Sequence, residues 1–242
     1  MPAQEMFQRI SRCAGLLALS LLTCQLNLAS AAERDEPQLS YLQGLVGAAA
    51  FENDHLTFVA TGLDDPPVPA GNDLSSMPCV GIAGQFALTG TGNQVGLDTS
   101  LLFGWRSAST SITAGNNQAR VEIDSEFWLV DVAVGLYAQA MLGDRWRLYG
   151  AAGPLLLFGE YSDDAAERDL SVEPQQVTRS SNSQSEFGLG GYARVGLEYR
   201  MTRSAFVGLA VRGISTNLEF DRTVNDSGLT GLQGFVTFTR AY

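Results

Sequence analysis

Seven charged residues lie on the more polar face of strand-like segments in this 242-residue chain. Because an unpaired charge away from water is very costly, arginines and carboxylates in such positions should form ion pairs or meet trapped water. Two kinds of chemistry are open to them: conduction of ions along a polar path, or a polar lock that fills an interior. We expect the polar lock. The seven residues are Asp98, Arg106, Asp131, Arg147, Arg194, Glu198 and Arg212.

The sole histidine is the other candidate for chemistry. His55 lies beside two acids, and acyl transfer would require it to activate a serine, such as Ser107 or Ser109. No spacing ties His55 to either serine, so we expect a solvated loop histidine. The sequence therefore predicts no catalytic residue and no enzyme.

Neither a metal site nor a cofactor site is predicted. The glycines of 89–92 and 188–196 resemble a phosphate-binding loop only superficially, because no helix follows them. The loops carry many acids that could collect divalent cations, but none has the spacing of a calcium-binding loop. We expect them to form a repulsive, solvated rim. They are Asp64, Asp65, Asp73, Asp163, Asp164, Glu167, Asp169, Glu173, Glu219, Asp221 and Asp226.

The N-terminus has the pattern of an export signal. Arg9 and Arg12 precede an apolar run at 14–22, and Ala29-Ser30-Ala31 offers the small-x-small pattern of signal peptidase sites. These features predict a signal peptide over 1–31.

The predicted mature chain begins with a short polar segment, 32–38, before a barrel over 39–242. The mature chain would keep 13 basic and 25 acidic residues, a formal charge of −12, which disfavours a nucleic-acid partner. Cys24 follows Thr23, a poor residue for a lipoprotein cleavage box, so lipidation is not expected. Cys79 would then be the one remaining cysteine, and no intramolecular disulfide could form.

The segment 186–200 shows how the barrel is predicted. Its odd positions are free of charge, whereas its even positions include Arg194, Glu198 and Arg200. A period of two is typical of a β-strand with two different faces. Short connections between the strand-like runs alternate with four long ones, 52–77, 107–121, 161–185 and 218–229, which predicts an up-and-down meander. The long connections are polar and rich in turn-forming residues, so we expect loops without further strands. The runs are 39–51, 78–90, 94–106, 122–142, 145–160, 186–200, 204–217 and 230–242.

The polar faces of these runs are mostly Gly, Ala and Tyr with few charges. A strand of a soluble barrel would carry many more charged and hydroxyl side chains on its water-facing side. Small residues instead suit the interior of a narrow barrel, where eight strands leave room only for side chains. We therefore expect the apolar faces to meet lipid, with Trp105, Trp128, Trp146, Phe187 and Tyr199 in interfacial girdles.

The signal, the topology and the Gly/aromatic strands such as 186–200 resemble those of the small outer-membrane β-barrels of Gram-negative bacteria. That group includes the transmembrane domain of outer membrane protein A and the opacity and Ail-type barrels. The resemblance implies an all-β fold: an eight-stranded antiparallel up-and-down transmembrane β-barrel in the cell outer membrane.

The resemblance also implies partners. Outer-membrane lipid and lipopolysaccharide would surround the barrel, and four extracellular loops would be free to meet a host or surface ligand. The last strand ends in Tyr242, with Phe238 and Val236 in phase, as expected for recognition by the barrel-assembly machinery. Arg240 departs from that pattern, which leaves the register of this strand open.

Three functions remain open. The first is a structural or surface-interacting barrel, which we expect. The second is a narrow diffusion pore. The third is a lipid A-modifying enzyme, since some barrels of this size modify lipid A. His55 would then work with a rim serine.

Overall fold

A computed structural model describes residues 40–52, 57–60, 70–73, 75–89, 93–114, 119–169, 176–219 and 228–242. Within these ranges no helix is long and apolar enough to cross a membrane. The strands are β1 (Tyr41–Phe51), β2 (Thr57–Ala60), β3 (Ala70–Asp73), β4 (Ser76–Thr89), β5 (Gln94–Ala114), β6 (Ala119–Leu142), β7 (Trp146–Asp169), β8 (Gln176–Arg200), β9 (Ala205–Thr216) and β10 (Thr230–Ala241).

Eight of these strands close into one antiparallel barrel in the order β1-β10-β9-β8-β7-β6-β5-β4. Strand β1 completes the ring, because Tyr41 pairs with Ala241 of β10 on one side and with Gln85 of β4 on the other. Closure leaves no unpaired edge within the ring. The predicted eight-stranded antiparallel barrel is confirmed.

The connection between β1 and β4 contains a hairpin that the sequence did not reveal. Strands β2 and β3 pair antiparallel, from Thr57 with Asp73 to Ala60 with Ala70. The expectation that 52–77 holds no further strand was wrong. Each of the two strands has only four residues, too few to show a period of two among turn-forming residues.

Strands β5 to β8 continue well past the predicted ends. The segments 107–121 and 161–185 were expected to be loops, but their ladders run on to Ala114 with Ala119 and to Asp169 with Gln176. That expectation was wrong because small and polar residues fill most of these segments, so no face of large apolar residues marks them as strands. We call the four-stranded sheet formed by 106–114, 119–127, 159–169 and 176–186 the β5–β8 extension.

The outer wall of the barrel is apolar. Leu136, Leu189 and Leu209 are 60%, 67% and 65% exposed. A water-soluble protein rarely leaves large apolar side chains this exposed in a continuous belt. The opposite faces of the same strands are buried in the lumen. The predicted orientation, with apolar side chains outward, is therefore the one observed.

Outward-facing aromatic side chains mark both margins of this belt. At the base of the β5–β8 extension, Trp128 packs on Phe158 with ring centroids 5.1 Å apart, and Phe158 packs on Phe187 at 4.4 Å. At the other end, near the short turns 143–145 and 201–204, Trp146 packs on Tyr199 at 5.1 Å. About a dozen residues separate Phe187 from Tyr199 on β8, a length that suits a tilted membrane-spanning strand. We refer to the two ends as the long-loop end and the short-turn end.

Glycines make room for the large rings inside. A Cβ on Gly196 would lie 2.4 Å from Cζ of Tyr149, its direct cross-strand neighbour. A Cβ on Gly96 would likewise lie 2.6 Å from Cε1 of Tyr137, again its cross-strand neighbour. Each luminal tyrosine ring can therefore lie against the wall, over the glycine that pairs with it.

Candidate functional site: the polar network in the lumen

The charged cluster nearest the short-turn end is centred on Arg147. Arg147 and Glu198 face each other on β7 and β8, and their side chains form a 2.7 Å ion pair with both partners wholly buried. The guanidinium also donates from Nε to Gln139 at 2.5 Å and from Nη2 to Gln85. Its carbon lies 3.7 Å from the ring centroid of Tyr41. This contact is a cation–π interaction.

Glu198 is the acceptor at the centre of this cluster. Its Oε1 accepts hydrogen bonds from Gln43 at 2.9 Å, from Thr237 at 2.9 Å and from Thr239 at 2.6 Å. With the bond from Arg147 to Oε2, this carboxylate has donors from strands on several sides of the lumen. Such complete hydrogen bonding is what permits a charge to be buried.

A second cluster is centred on Asp98 of β5. Arg194 of β8 reaches it through Nη2 at 2.6 Å, and the hydroxyl of Tyr192 donates to its other oxygen at 2.6 Å. Gln85 donates to Asp98 at 3.2 Å and accepts from Arg147, so it joins the first two clusters.

The third cluster lies one step nearer the long-loop end. Arg212 of β9 forms a two-pronged contact with Asp131 of β6, at 2.5 Å from Nη1 and 3.0 Å from Nη2. Nη1 also donates to Gln233 at 2.9 Å. The guanidinium lies 4.7 Å from the ring centroid of Tyr192, which connects this cluster to the second.

Two of the three pairs cross the lumen. Strands β5 and β8 are three positions apart around the ring, as are β6 and β9, so Asp98–Arg194 and Asp131–Arg212 brace nearly opposite walls. The three arginines and three carboxylates balance in charge. All six are at most 3% exposed.

Beyond these clusters the lumen is mostly apolar, and the buried hydroxyls of Ser125 and Tyr161, 3.3 Å apart, are an exception. On β6, Phe127 and Leu129 lie on the long-loop side of Asp131. On β7, Leu155 and Leu157 lie on the long-loop side of Arg147. All four apolar side chains are at most 4% exposed. They belong to one cluster of buried side chains that also includes Phe51, Met77, Leu102, Ile214, Leu218, Leu229 and Phe235. The lumen thus holds a polar half towards the short-turn end and an apolar half towards the long-loop end.

A closed eight-stranded wall, an apolar outer belt and a filled lumen are the features of an integral outer-membrane protein. Residues 14–235 match the sequence model of the outer membrane protein beta-barrel domain. The chain belongs to this family. The predicted location in the outer membrane is confirmed by that membership.

Solved structures of outer-membrane barrels show similarity at low sequence identity. Ail of Yersinia pestis is 12% identical, with 85% of this chain and 99% of Ail aligned and a TM-score of 0.43. Neisserial surface protein A is 11% identical over 85% of this chain and 100% of its own, with a TM-score of 0.40. OprG of Pseudomonas aeruginosa is 11% identical over 84% and 96%, with a TM-score of 0.40. Among curated proteins, no relative matches the sequence.

The structure brings together six of the seven residues singled out in the sequence. Arg106 is the exception. It lies at the long-loop end of β5, where its guanidinium donates to the backbone oxygen of Ser76 and, at 2.6 Å, to the Ser76 hydroxyl. The sequence could have indicated that Arg106 lies outside the polar network, because Arg106 follows Trp105, which marks the margin of the barrel wall.

Sequence reasoning missed the neutral members of the network. The amides and hydroxyls that complete the network face the lumen, at alternate positions along the same strands as the charged residues. Their place on the same face as the charges could have identified them from the sequence. They are Tyr41, Gln43, Gln85, Gln94, Gln139, Tyr192, Gln233, Thr237 and Thr239.

The other candidates for chemistry do not form a site that can be described. His55, the segment 1–38 and Cys24 lie outside the described residues. Ser107 and Ser109 are exposed on the outward face of β5. Among the described side chains, no three His, Cys, Asp or Glu residues are arranged to hold a metal ion.

Proposed function

We propose that this outer-membrane barrel is a closed anchor that presents the β5–β8 extension to the cell exterior, rather than a pore or an enzyme. The single observation that carries the proposal is the filled lumen. Three buried ion pairs occupy one half and a packed apolar cluster occupies the other. An ion would have to displace both layers to cross.

The extension supports the display role. Its strands are held by continuous ladders on β5–β6, β6–β7 and β7–β8, so it is a hydrogen-bonded sheet rather than a set of loops. Its outward face is hydrophilic and acidic. Such a face is complementary to a polar or cationic binding partner and repels a polyanion. That face carries Ser107, Ser109, Ser111, Glu122, Asp124, Glu126, Ser162, Asp164, Ser181, Ser183 and Ser185.

Cysteine labelling in intact cells tests the display. We expect Ser109→Cys and Ser183→Cys to react with a membrane-impermeant maleimide, because both positions are exposed on the extension. Ser204→Cys, in the β8–β9 turn, is the matched control and should react only after the outer membrane is permeabilised. The native protein gives the background, since Cys79 is buried. If only Ser204→Cys were labelled in intact cells, the barrel would have the opposite orientation in the membrane, which would refute the proposal.

A further inference from the structure

Charge is segregated between the two ends of the barrel. Among the side chains that the structure describes, carboxylates dominate the long-loop end and arginines dominate the short-turn end. The long-loop end carries Glu52, Glu122, Asp124, Glu126, Glu160, Asp163, Asp164, Glu186 and Glu219 against Arg106, Arg120 and Arg179. The short-turn end carries Arg145, Arg200, Arg203 and Arg240 against Asp144. A chain with a large excess of acid therefore has one basic rim.

The rim is continuous along neighbouring strands. The backbone oxygen of Arg145, in the β6–β7 turn, accepts a hydrogen bond from the amide of Arg200 at 2.7 Å. The β8–β9 turn that contains Arg203 is tied to β10 by a 2.7 Å bond from the amide of Ala241 to Ser204, and Arg240 pairs with Ala205. We call Arg145, Arg203 and Arg240 the arginine rim; Arg200 is left out because it stacks over Phe206.

The side chains of the rim are free to meet an external anion. All three residues are exposed. Within the described part of the chain, the guanidinium groups of Arg203 and Arg240 have no hydrogen-bond or ion-pair partner, and the guanidinium of Arg145 donates only to the hydroxyl of Tyr199, at 3.0 Å.

The rim also lies at the depth of a lipid headgroup. Arg240 sits on the outward, lipid-facing side of β10 between Phe238 and Tyr242, which are 57% and 54% exposed. Arg145 adjoins Trp146, which is 44% exposed and belongs to the short-turn aromatic pair. Aromatic rings of this kind settle at the headgroup level, and an arginine beside them can extend its guanidinium to phosphate.

We propose that the arginine rim binds the phosphate groups of anionic phospholipids in the leaflet at the short-turn end. Guanidinium groups form paired hydrogen bonds with phosphate oxygens, which adds geometry to the charge attraction. The acidic long-loop end has the opposite sign and would repel the same headgroups. The binding orients the barrel and fixes its depth in the membrane. It does not depend on whether the lumen is closed.

Spin-labelled lipids test the proposal on the full chain in vesicles. We expect spin-labelled phosphatidylglycerol to associate with the barrel about five-fold more strongly than spin-labelled phosphatidylcholine at low ionic strength. The triple variant Arg145→Gln, Arg203→Gln, Arg240→Gln should reduce that preference towards unity. The matched control is Arg120→Gln with Arg179→Gln, two exposed arginines of the long-loop end, which should keep it.

Two further results show whether the bound phosphate belongs to a lipid or to the solution, and whether the rim is what binds it. Inorganic phosphate added at matched ionic strength should not displace the lipid; displacement would indicate a site for soluble phosphate and overturn the proposal. If the triple variant shows the same lipid preference as the native chain, the rim does not hold the headgroups, which would also overturn the proposal.

Discussion

Asp131 of β6 and Arg212 of β9 meet inside the barrel although their strands are three positions apart in the wall. Their two contacts, at 2.5 and 3.0 Å, form a paired carboxylate–guanidinium interaction that is almost fully buried. A brace of this kind fixes the distance between opposite walls. Asp98 and Arg194 repeat it between β5 and β8.

Removing one partner of the brace should be costly. Asp131→Asn leaves the guanidinium of Arg212 buried without its counter-charge, and we expect a loss of about 3–5 kcal/mol in the free energy of unfolding. Denaturant unfolding of the barrel in vesicles, followed by tryptophan fluorescence, measures it.

The double variant Asp131→Leu, Arg212→Met is the control for this prediction. It replaces the pair with apolar side chains of similar volume and should recover most of the stability lost in the single variant. Equal losses in the single and double variants would mean that the charges are not coupled.

The fit of Tyr149 against Gly196 gives a second prediction. In Gly196→Ala the new Cβ would meet the Tyr149 ring at 2.4 Å, so the ring must leave its position. We expect a loss of about 1–3 kcal/mol in the free energy of unfolding, as for other overpacked interiors. Gly234→Ala is the matched control, because no atom lies within 4 Å of its Cβ position. Similar losses in both variants would contradict the packing argument.

A carboxyl at the base of the extension should make stability depend on pH. Glu160 lies on the outward face of β7, just beyond the membrane-facing aromatic Phe158. Burial raises the pKa of Glu160, and repulsion from Glu126 adds to the rise, while a hydrogen bond from Ser183 opposes it. The folded protein therefore keeps this proton to a higher pH than the unfolded chain does. Stability falls as the pH rises from the unfolded pKa to the folded one.

Glu160→Gln removes this penalty. We expect the variant to be more stable than the native protein at neutral pH and to show no gain below roughly pH 4, where the carboxyl is protonated in both states. Unfolding curves at a series of pH values measure the difference. Asp164→Asn, an exposed position on the same face of β7, serves as the control. A gain that is independent of pH would count against the role assigned to Glu160.

The wall of the barrel was predictable because lipid imposes a period of two. Alternation placed Leu189 and Val195 outward and Arg194 inward, as observed. Even Arg240 does not break the register: it pairs with Leu42 and stays outward at the end of β10. The β5–β8 extension shows no such apolar alternation, since many of its residues are serines and acids.

The contents of the lumen were less predictable. The sequence indicated that Asp98 and Asp131 face inward, but not which arginine each would meet, because that depends on the tilt and stagger of the closed sheet. The apolar half was also missed. Phe127 and Leu157 fall inside the predicted runs 122–142 and 145–160, but each lies beside an apolar residue of the outward face, so the alternation did not distinguish the two faces there.

Single-channel recording in planar bilayers is the most direct test of the closed lumen. The purified native barrel should insert without producing discrete conductance steps, since the buried ion pairs and the apolar cluster block the path. Reproducible steps whose size or ion selectivity changes in Arg194→Gln or Glu198→Gln would show that ions pass through the polar network. That result would contradict the closed lumen and show that the protein is a pore.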